Sequence, residues 1–276
     1  MSPSTTSAAS EPAVGSSWLR PLRRVPDPRM RLVCFPHAGG AASFFREWPQ
    51  WLAADVEVFA VRYPGREDRI NEPCVTDMAG LSGPIADAVA PLMTVPTAFF
   101  GHSMGASVAY EVARRLLGSG RSGPAALFVS GRAAPHRLRL SDTGSRTDEA
   151  LVADVRRRGG PLAAALDHPD LLDLVLPSIR ADYRLVDSYA TQATVQPLPI
   201  PITAYYGEDD VDNPAENILA WADAAADTAA DTAAGTAAGA DGFASRSFPG
   251  GHFFLVPQAA EVVGDINSRL SGNRGN

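Results

Sequence analysis

Gly101-His102-Ser103-Met104-Gly105 has the form G-x-S-x-G, and the residues around it are those a nucleophilic serine needs. The apolar run Thr97–Phe100 before it reads as a buried strand, and Ala106–Leu117 after it reads as a helix. A serine on so sharp a strand-to-helix turn is pushed out of the sheet with its hydroxyl exposed. Glycine on either side removes the Cβ that would strike a neighbouring strand or helix. The hydroxyl is a weak nucleophile until a base takes its proton, and the base needs an acid to orient it. The chain has five histidines, His37, His102, His136, His168 and His252, and only His252 lies late and in a suitable loop. It follows a strand candidate ending at Phe248 and the turn residues Pro249-Gly250-Gly251, and Phe253, Phe254 and Leu255 would anchor the loop behind it. An acidic run, Gly207-Glu208-Asp209-Asp210-Val211-Asp212, follows the strand candidate Ile202–Tyr206. Nucleophile, acid and base therefore occur in that order along the chain.

This is the chain order of α/β-hydrolases. In that layout the acid commonly lies three residues after the glycine that ends its strand, which selects Asp210, with Asp209 and Asp212 as alternatives. A tetrahedral oxyanion also needs donors. One is the backbone N–H of Met104, directly after the serine. The other belongs to the loop after an early strand, and Phe35-Pro36-His37-Ala38-Gly39-Gly40 fits, with Ala38 N–H as the donor and His37 N–H as the alternative. The loop has neither G-x-G-x-x-G nor Walker spacing, so phosphate binding is a weak reading of its glycines.

These residues require a sheet to hold them. Short apolar runs at Arg31–Phe35, Val56–Val61, Thr97–Phe100, Leu127–Ser130, Ile202–Tyr206 and Ser245–Phe248 read as strands. Their continuous apolar character suits a mostly parallel sheet covered on both faces. Helices are expected at Phe44–Ala53, Met78–Leu92 and Ala106–Leu117, which gives a doubly wound α/β pattern. Residues 141–195 break the rhythm. Leu171, Val175, Ile179 and Tyr183 recur every fourth residue, with Leu172, Leu176 and Val186 widening the stripe. A helical insertion there reads as a lid over the carboxyl edge of the sheet, with Pro177 expected to interrupt or kink its helix. Residues 225–240 repeat Ala-Ala-Asp-Thr and related units with no bulky core residue, and read as a low-complexity surface loop.

Composition narrows the class. A net charge of −7 argues against a nucleic-acid binder. Cys34 lies in an apolar run and Cys74 follows Pro73. Neither has metal or redox spacing, which fits a reducing, cytoplasmic setting with no metal. No segment is long and apolar enough to span a bilayer, so no membrane partner is expected. Residues 1–17 lack the basic start and apolar core of a secretion signal and read as a disordered tail.

Four segments taken together resemble the stand-alone type II thioesterases that accompany polyketide and non-ribosomal peptide synthases. They are Phe35–Gly40, Tyr63-Pro64-Gly65-Arg66-Glu67-Asp68-Arg69, Gly101–Gly105 and Phe248–Leu255. The resemblance runs from about Arg31 to Leu270 and includes Leu176-Pro177-Ser178-Ile179-Arg180-Ala181-Asp182-Tyr183, similar to the family's lid helix. It implies an α/β-hydrolase fold with a flexible lid, and hydrolysis of acyl groups from the 4′-phosphopantetheine arm of an acyl or peptidyl carrier protein. The implied role is editing in antibiotic biosynthesis. Ser103 would be the nucleophile, His252 the general base and Asp210 the orienting acid. No cofactor and a monomeric protein are expected. The tail before Trp18 and the repeat after Trp221 depart from the pattern, outside the matching motifs. An esterase or acyltransferase would use the same triad, and an inactive hydrolase fold acting as a binding module is the reading from another class. Arg66, with Glu67 and Arg69, reads equally as a docking or substrate-positioning element and as an ion-pair cluster. His37 and His102 read as supports of the site.

Overall fold

The apolar runs place six of seven strands. In the computed structural model of the protein, which describes residues 16–166, 169–226 and 242–272, these are β2 Met30–Phe35, β3 Val56–Val61, β4 Thr97–His102, β5 Ala126–Ser130, β6 Ile202–Gly207 and β7 Phe243–Phe248. The seventh, β1 Leu19–Arg23, precedes them. The sheet order is β1-β3-β2-β4-β5-β6-β7. β1 runs antiparallel to β3, and the other neighbouring pairs are parallel.

Every residue of β2, β3 and β4 is buried. Alternation along each strand divides the core between two faces. Val33, Phe35, Phe59, Val61 and Phe99 face α1 (Met78–Val89) and α2 (Met104–Gly118). Leu32, Cys34, Val58, Ala60 and Phe100 face Phe45, Trp48 and Val262, Val263 and Ile266 of the last helix, Ala259–Gly272. The charged members of β2 and β3, Arg31 and Glu57, are buried but satisfy each other at 2.9 Å.

Between β5 and β6 the expected helical insertion is present as α3 (Asp148–Arg158), α4 (Pro161–Ala165) and α5 (Pro169–Ala190). Leu151, Val152, Val155, Ile179 and Tyr183 give it a small core of its own. After β6 come the short α6 (Ala215–Leu219) and, after β7, the last helix, α7. This is the expected α/β-hydrolase architecture.

Several local expectations change. Residues 44–53 form two 3-10 turns, Ala42–Phe45 and Trp48–Trp51, instead of one helix. Pro49 has no N–H for a through-running helix, and its ring would strike the preceding turn. The Met78–Leu92 helix becomes 3-10 from Ala90 to Thr94, where Pro91 intervenes. β7 starts two residues before the expected Ser245. α5 is not interrupted at Pro177. The carbonyl that Pro177 leaves without a donor belongs to Asp173, and both residues are exposed to water. The N-terminal end of the expected stripe is also outside the core, with Leu171 exposed. Residues 1–15 of the expected tail, and 227–240 of the low-complexity segment, lie outside the described residues, as does His168. Among the described residues no helix is long and apolar enough to cross a membrane.

Candidate active site

Ser103 sits between β4 and α2 with φ 53° and ψ −121°, a left-handed conformation that non-glycine residues rarely adopt. The turn closes because its neighbours are glycines. A Cβ at Gly101 would stand 2.3 Å from the Gly105 carbonyl oxygen, and one at Gly105 would stand 2.0 Å from that of Phe35. α2 can therefore start directly against the end of β2.

The structure brings the three expected residues together. His252 Nε2 lies 3.0 Å from Ser103 Oγ, and His252 Nδ1 lies 2.8 Å from Asp210 Oδ2. The carboxylate fixes the tautomer: Nδ1–H donates to Asp210, which leaves the Nε2 lone pair for the serine proton. Phe254 and Leu255 are buried beyond His252 and anchor its loop as expected, whereas Phe253 is only partly buried and borders the cavity over Ser103. Asp210 is held in turn by the amides of Asp212 (3.1 Å) and Asn213 (3.2 Å) and by Asn213 Nδ2 (3.2 Å). Burial alone would raise this carboxyl. The hydrogen bond and charge of His252, with the Asn213 and Asp212 donors, outweigh burial and hold it below the usual carboxylate range.

Neither alternative acid bonds His252, whose Nδ1 is taken by Asp210. Asp209 is exposed, and its amide donates to the Gly250 carbonyl at 2.9 Å. Asp212 pairs with Arg157 (3.0 Å) and Arg158 (3.3 Å) of α3. Asn213 was not anticipated from the sequence. Its position three residues after an aspartate, in a turn, is a recognisable side-chain-to-backbone pattern, but it was masked by the acidic run.

Met104 is the first residue of α2, where amides have no intrahelical acceptor and the helix dipole favours negative charge. Ala38 borders the same cavity as Ser103 and His252. The amides on its far side are committed: Gly39 donates to Asp182 at 2.7 Å and Gly40 to the His37 carbonyl at 2.9 Å.

His37 and His102 surround the triad histidine. The His102 ring lies 5.0 Å from His252 and 5.9 Å from His37, and its Nδ1 is 3.0 Å from Ser130 Oγ. His37 packs edge-on to Phe44 and Phe253. Burial, and then the charges of His252 and Arg66, push His37 down to about 3. Burial, then His252 and His37, drives His102 well below the ordinary range against the Ser130 hydrogen bond. Both rings are neutral at physiological pH.

A cavity of about 270 Å³ opens over Ser103. Val155, Leu162, Tyr183 and Val186 of the insertion form its apolar side, and Leu138 and Leu140 continue it outward. The exposed Arg137 and Arg139 line the same cavity.

The Pro-Gly-Arg-Glu element resolves into ion pairs. Arg66 is buried and forms a fork on Asp182 of α5, at 2.6 and 2.8 Å. Glu67 pairs with Arg20 at 2.9 Å. Arg69 is buried, pairs with Glu72 at 2.6 Å and lies over the Trp18 ring. Arg66 and Arg69 therefore offer no docking surface.

A strained serine, an oriented imidazole, a buried carboxylate and helix-terminal amides beneath a cavity with one apolar side can transfer an acyl group through the serine oxygen. The sequence model of the thioesterase-domain family matches residues 30–270. The chain is 37% identical to the probable cadicidin biosynthesis thioesterase of Streptomyces griseus, over 93% of this chain and 67% of that protein. It is 36% identical to thioesterase PikA5 of Streptomyces venezuelae, over 94% and 87% of the two chains. Among solved structures, RedJ, the thioesterase of the prodiginine pathway in Streptomyces coelicolor, superposes with a TM-score of 0.77. It shares 35% identity and covers 88% of this chain and 91% of its own.

Proposed function

The chain belongs to the thioesterase family, and from that premise we propose that it hydrolyses acyl groups from the 4′-phosphopantetheine arm of an acyl or peptidyl carrier protein. It is a type II enzyme that clears stalled or wrongly loaded chains from a polyketide or non-ribosomal peptide synthase, and the carrier protein is its partner. One observation carries the reading: the relay Asp210–His252–Ser103, at 2.8 and 3.0 Å, under a cavity whose apolar side is formed by the insertion.

His252 Nε2 takes the Ser103 hydroxyl proton as Oγ attacks the thioester carbonyl carbon. The N–H groups of Met104 and Ala38 hold the oxyanion. Its collapse breaks the C–S bond, and the thiolate of the arm leaves with the proton from His252. Water then gives a proton to His252 and attacks acyl-Ser103. The free acid departs, and Ser103 regains its proton. Each step uses groups of the chain and water. The α3–α5 insertion acts as the lid that shields the acyl-enzyme from bulk solvent and sets the space for the acyl chain.

Free-thiol release from a panel of acyl-carrier proteins, beside matched small acyl thioesters, tests the reading, with Ser103→Ala as control. The expected result is faster release from carrier-bound substrates, lost in Ser103→Ala while the fold is retained. Wild-type rates in Ser103→Ala would remove the assignment. Activity confined to small esters would favour a general esterase.

A further inference from the structure

Asp182 is buried on α5, inside the insertion, yet three of its contacts reach the floor of the site. Oδ2 accepts from the Gly39 amide at 2.7 Å and from Arg66 Nη1 at 2.6 Å, and Oδ1 accepts from Arg66 Nη2 at 2.8 Å. Arg66 Nη1 also donates to the Gly40 carbonyl at 3.1 Å. Behind it the Arg66 guanidinium lies over the Tyr63 ring, and Tyr63 Oη donates to the Pro36 carbonyl at 3.2 Å. The loop Pro36–Gly40 is therefore gripped on both sides of Ala38: at Pro36 by Tyr63, and at Gly39 and Gly40 by Asp182 and Arg66. The peptide that follows Ala38 has its N–H fixed on a carboxylate that belongs to the roof. Ile179, three residues before Asp182, and Tyr183, directly after it, belong to the small apolar cluster against which Ala38 itself packs.

Ala38 N–H shares its peptide plane with the His37 carbonyl, which accepts from the Gly40 amide at 2.9 Å, and the planes on either side are held at the Pro36 carbonyl and the Gly39 amide, so the donor has little freedom to turn. We infer that Asp182, oriented by the Arg66 fork, is a positioning residue that aims Ala38 N–H at the oxyanion. The direction of that donor then depends on α5 being seated. The inference rests on the oxyanion role proposed for Ala38. Neither Asp182 nor Arg66 touches the reacting atoms, and their effect is transmitted through the loop backbone.

Asp182→Asn keeps the shape and one acceptor oxygen but removes the charged fork. Arg66→Lys keeps the cation but cannot make the bidentate pair. Each is assayed with the best carrier-bound substrate, and active sites are counted from the acyl-enzyme burst. Deleting an oxyanion donor costs about 10²- to 10³-fold, so misaiming one is expected to lower kcat per active site by about 10- to 100-fold. KM should stay within about twofold, because the interaction is made in the transition state. An acyl-pantetheine trifluoromethyl ketone, which forms an oxyanion on Ser103, should lose affinity in parallel with kcat. The matching thioether, which forms none, should bind as before. A merely structural pair would lower the number of active sites and leave kcat per site and the ketone-to-thioether ratio untouched, and that result would overturn the inference. If Asp182→Asn does not fold, Arg66→Lys alone decides between the same two outcomes. Absence of any Ser103-dependent release by the wild-type protein would instead overturn the functional reading.

Discussion

At the scale of single residues, three imidazoles share one buried pocket and must not all be basic. His252 has a carboxylate at Nδ1, whereas neither His37 nor His102 has one among the described residues, and the charged groups that act on them, His252 and Arg66, oppose a further proton. A neutral imidazole whose value lies far below the ordinary one gains no proton as pH falls through the ordinary histidine range. In an NMR titration between pH 5 and pH 8, His37 and His102 should therefore show flat ring-proton shifts. The pH–rate limb in that range should keep its position in His37→Gln. A titrating His37, or a shifted limb in that variant, would contradict the neutral assignment. The hydrogen-bonded trio was legible in the sequence because each member announces itself by its surroundings: Ser103 by the glycines, His252 by the Pro-Gly-Gly turn, Asp210 by the strand before it. Asp182 has no such marker. Its partners Gly39 and Arg66 lie 143 and 116 residues away, and only the fold brings them together.

At the scale of elements, β2 to β6 were readable because burial on both faces makes them largely apolar. β1 escaped for the opposite reason. It is an antiparallel edge strand, LRPLR, whose two arginines and proline hide a short alternation. The 3-10 turns at 42–51 escaped because aromatic spacing imitates a helix until Pro49 is considered. The junction of α2 with β2 is the tightest element contact at the site, with no room for a methyl group at Gly105. Gly105→Ala puts that methyl group against backbone, which cannot rotate away. The expected cost is about 3 kcal/mol or more, because overpacking against main chain finds little relief. Chemical denaturation measures it directly, and a change below about 1 kcal/mol would mean that α2 shifts freely, contrary to this contact.

At the scale of the whole molecule, the charge distribution opposes the net charge. The chain carries −7 overall, yet Arg137 and Arg139 stand exposed along the cavity, with no carboxylate paired to either among the described residues. Charges of one sign at a cleft concentrate counter-charged ligands there. The phosphodiester of a phosphopantetheine arm is such a ligand, and an N-acetylcysteamine thioester lacks it. Replacing both arginines by serine should raise KM severalfold for carrier-bound or phosphopantetheine thioesters and leave kcat unchanged. N-acetylcysteamine thioesters should be unaffected, and added salt should shrink the difference. Equal losses on both substrate types would assign the two arginines to packing instead.

The insertion is one uninterrupted stretch of chain, and every member of the triad lies outside it. Its polar moorings to the rest of the molecule include the Asp182 contacts, the grip of Arg157 and Arg158 on Asp212, and the hydrogen bond of Tyr189 to Glu111 at 2.8 Å. Such a segment behaves as an exchangeable cassette. A chimera that imports residues 141–195 from a relative, keeping those moorings, would inherit the donor's acyl preference on an unaltered hydrolytic base. Substrate range in such a protein can diverge by substitutions in the roof that spare those moorings, with the machinery beneath left as it is.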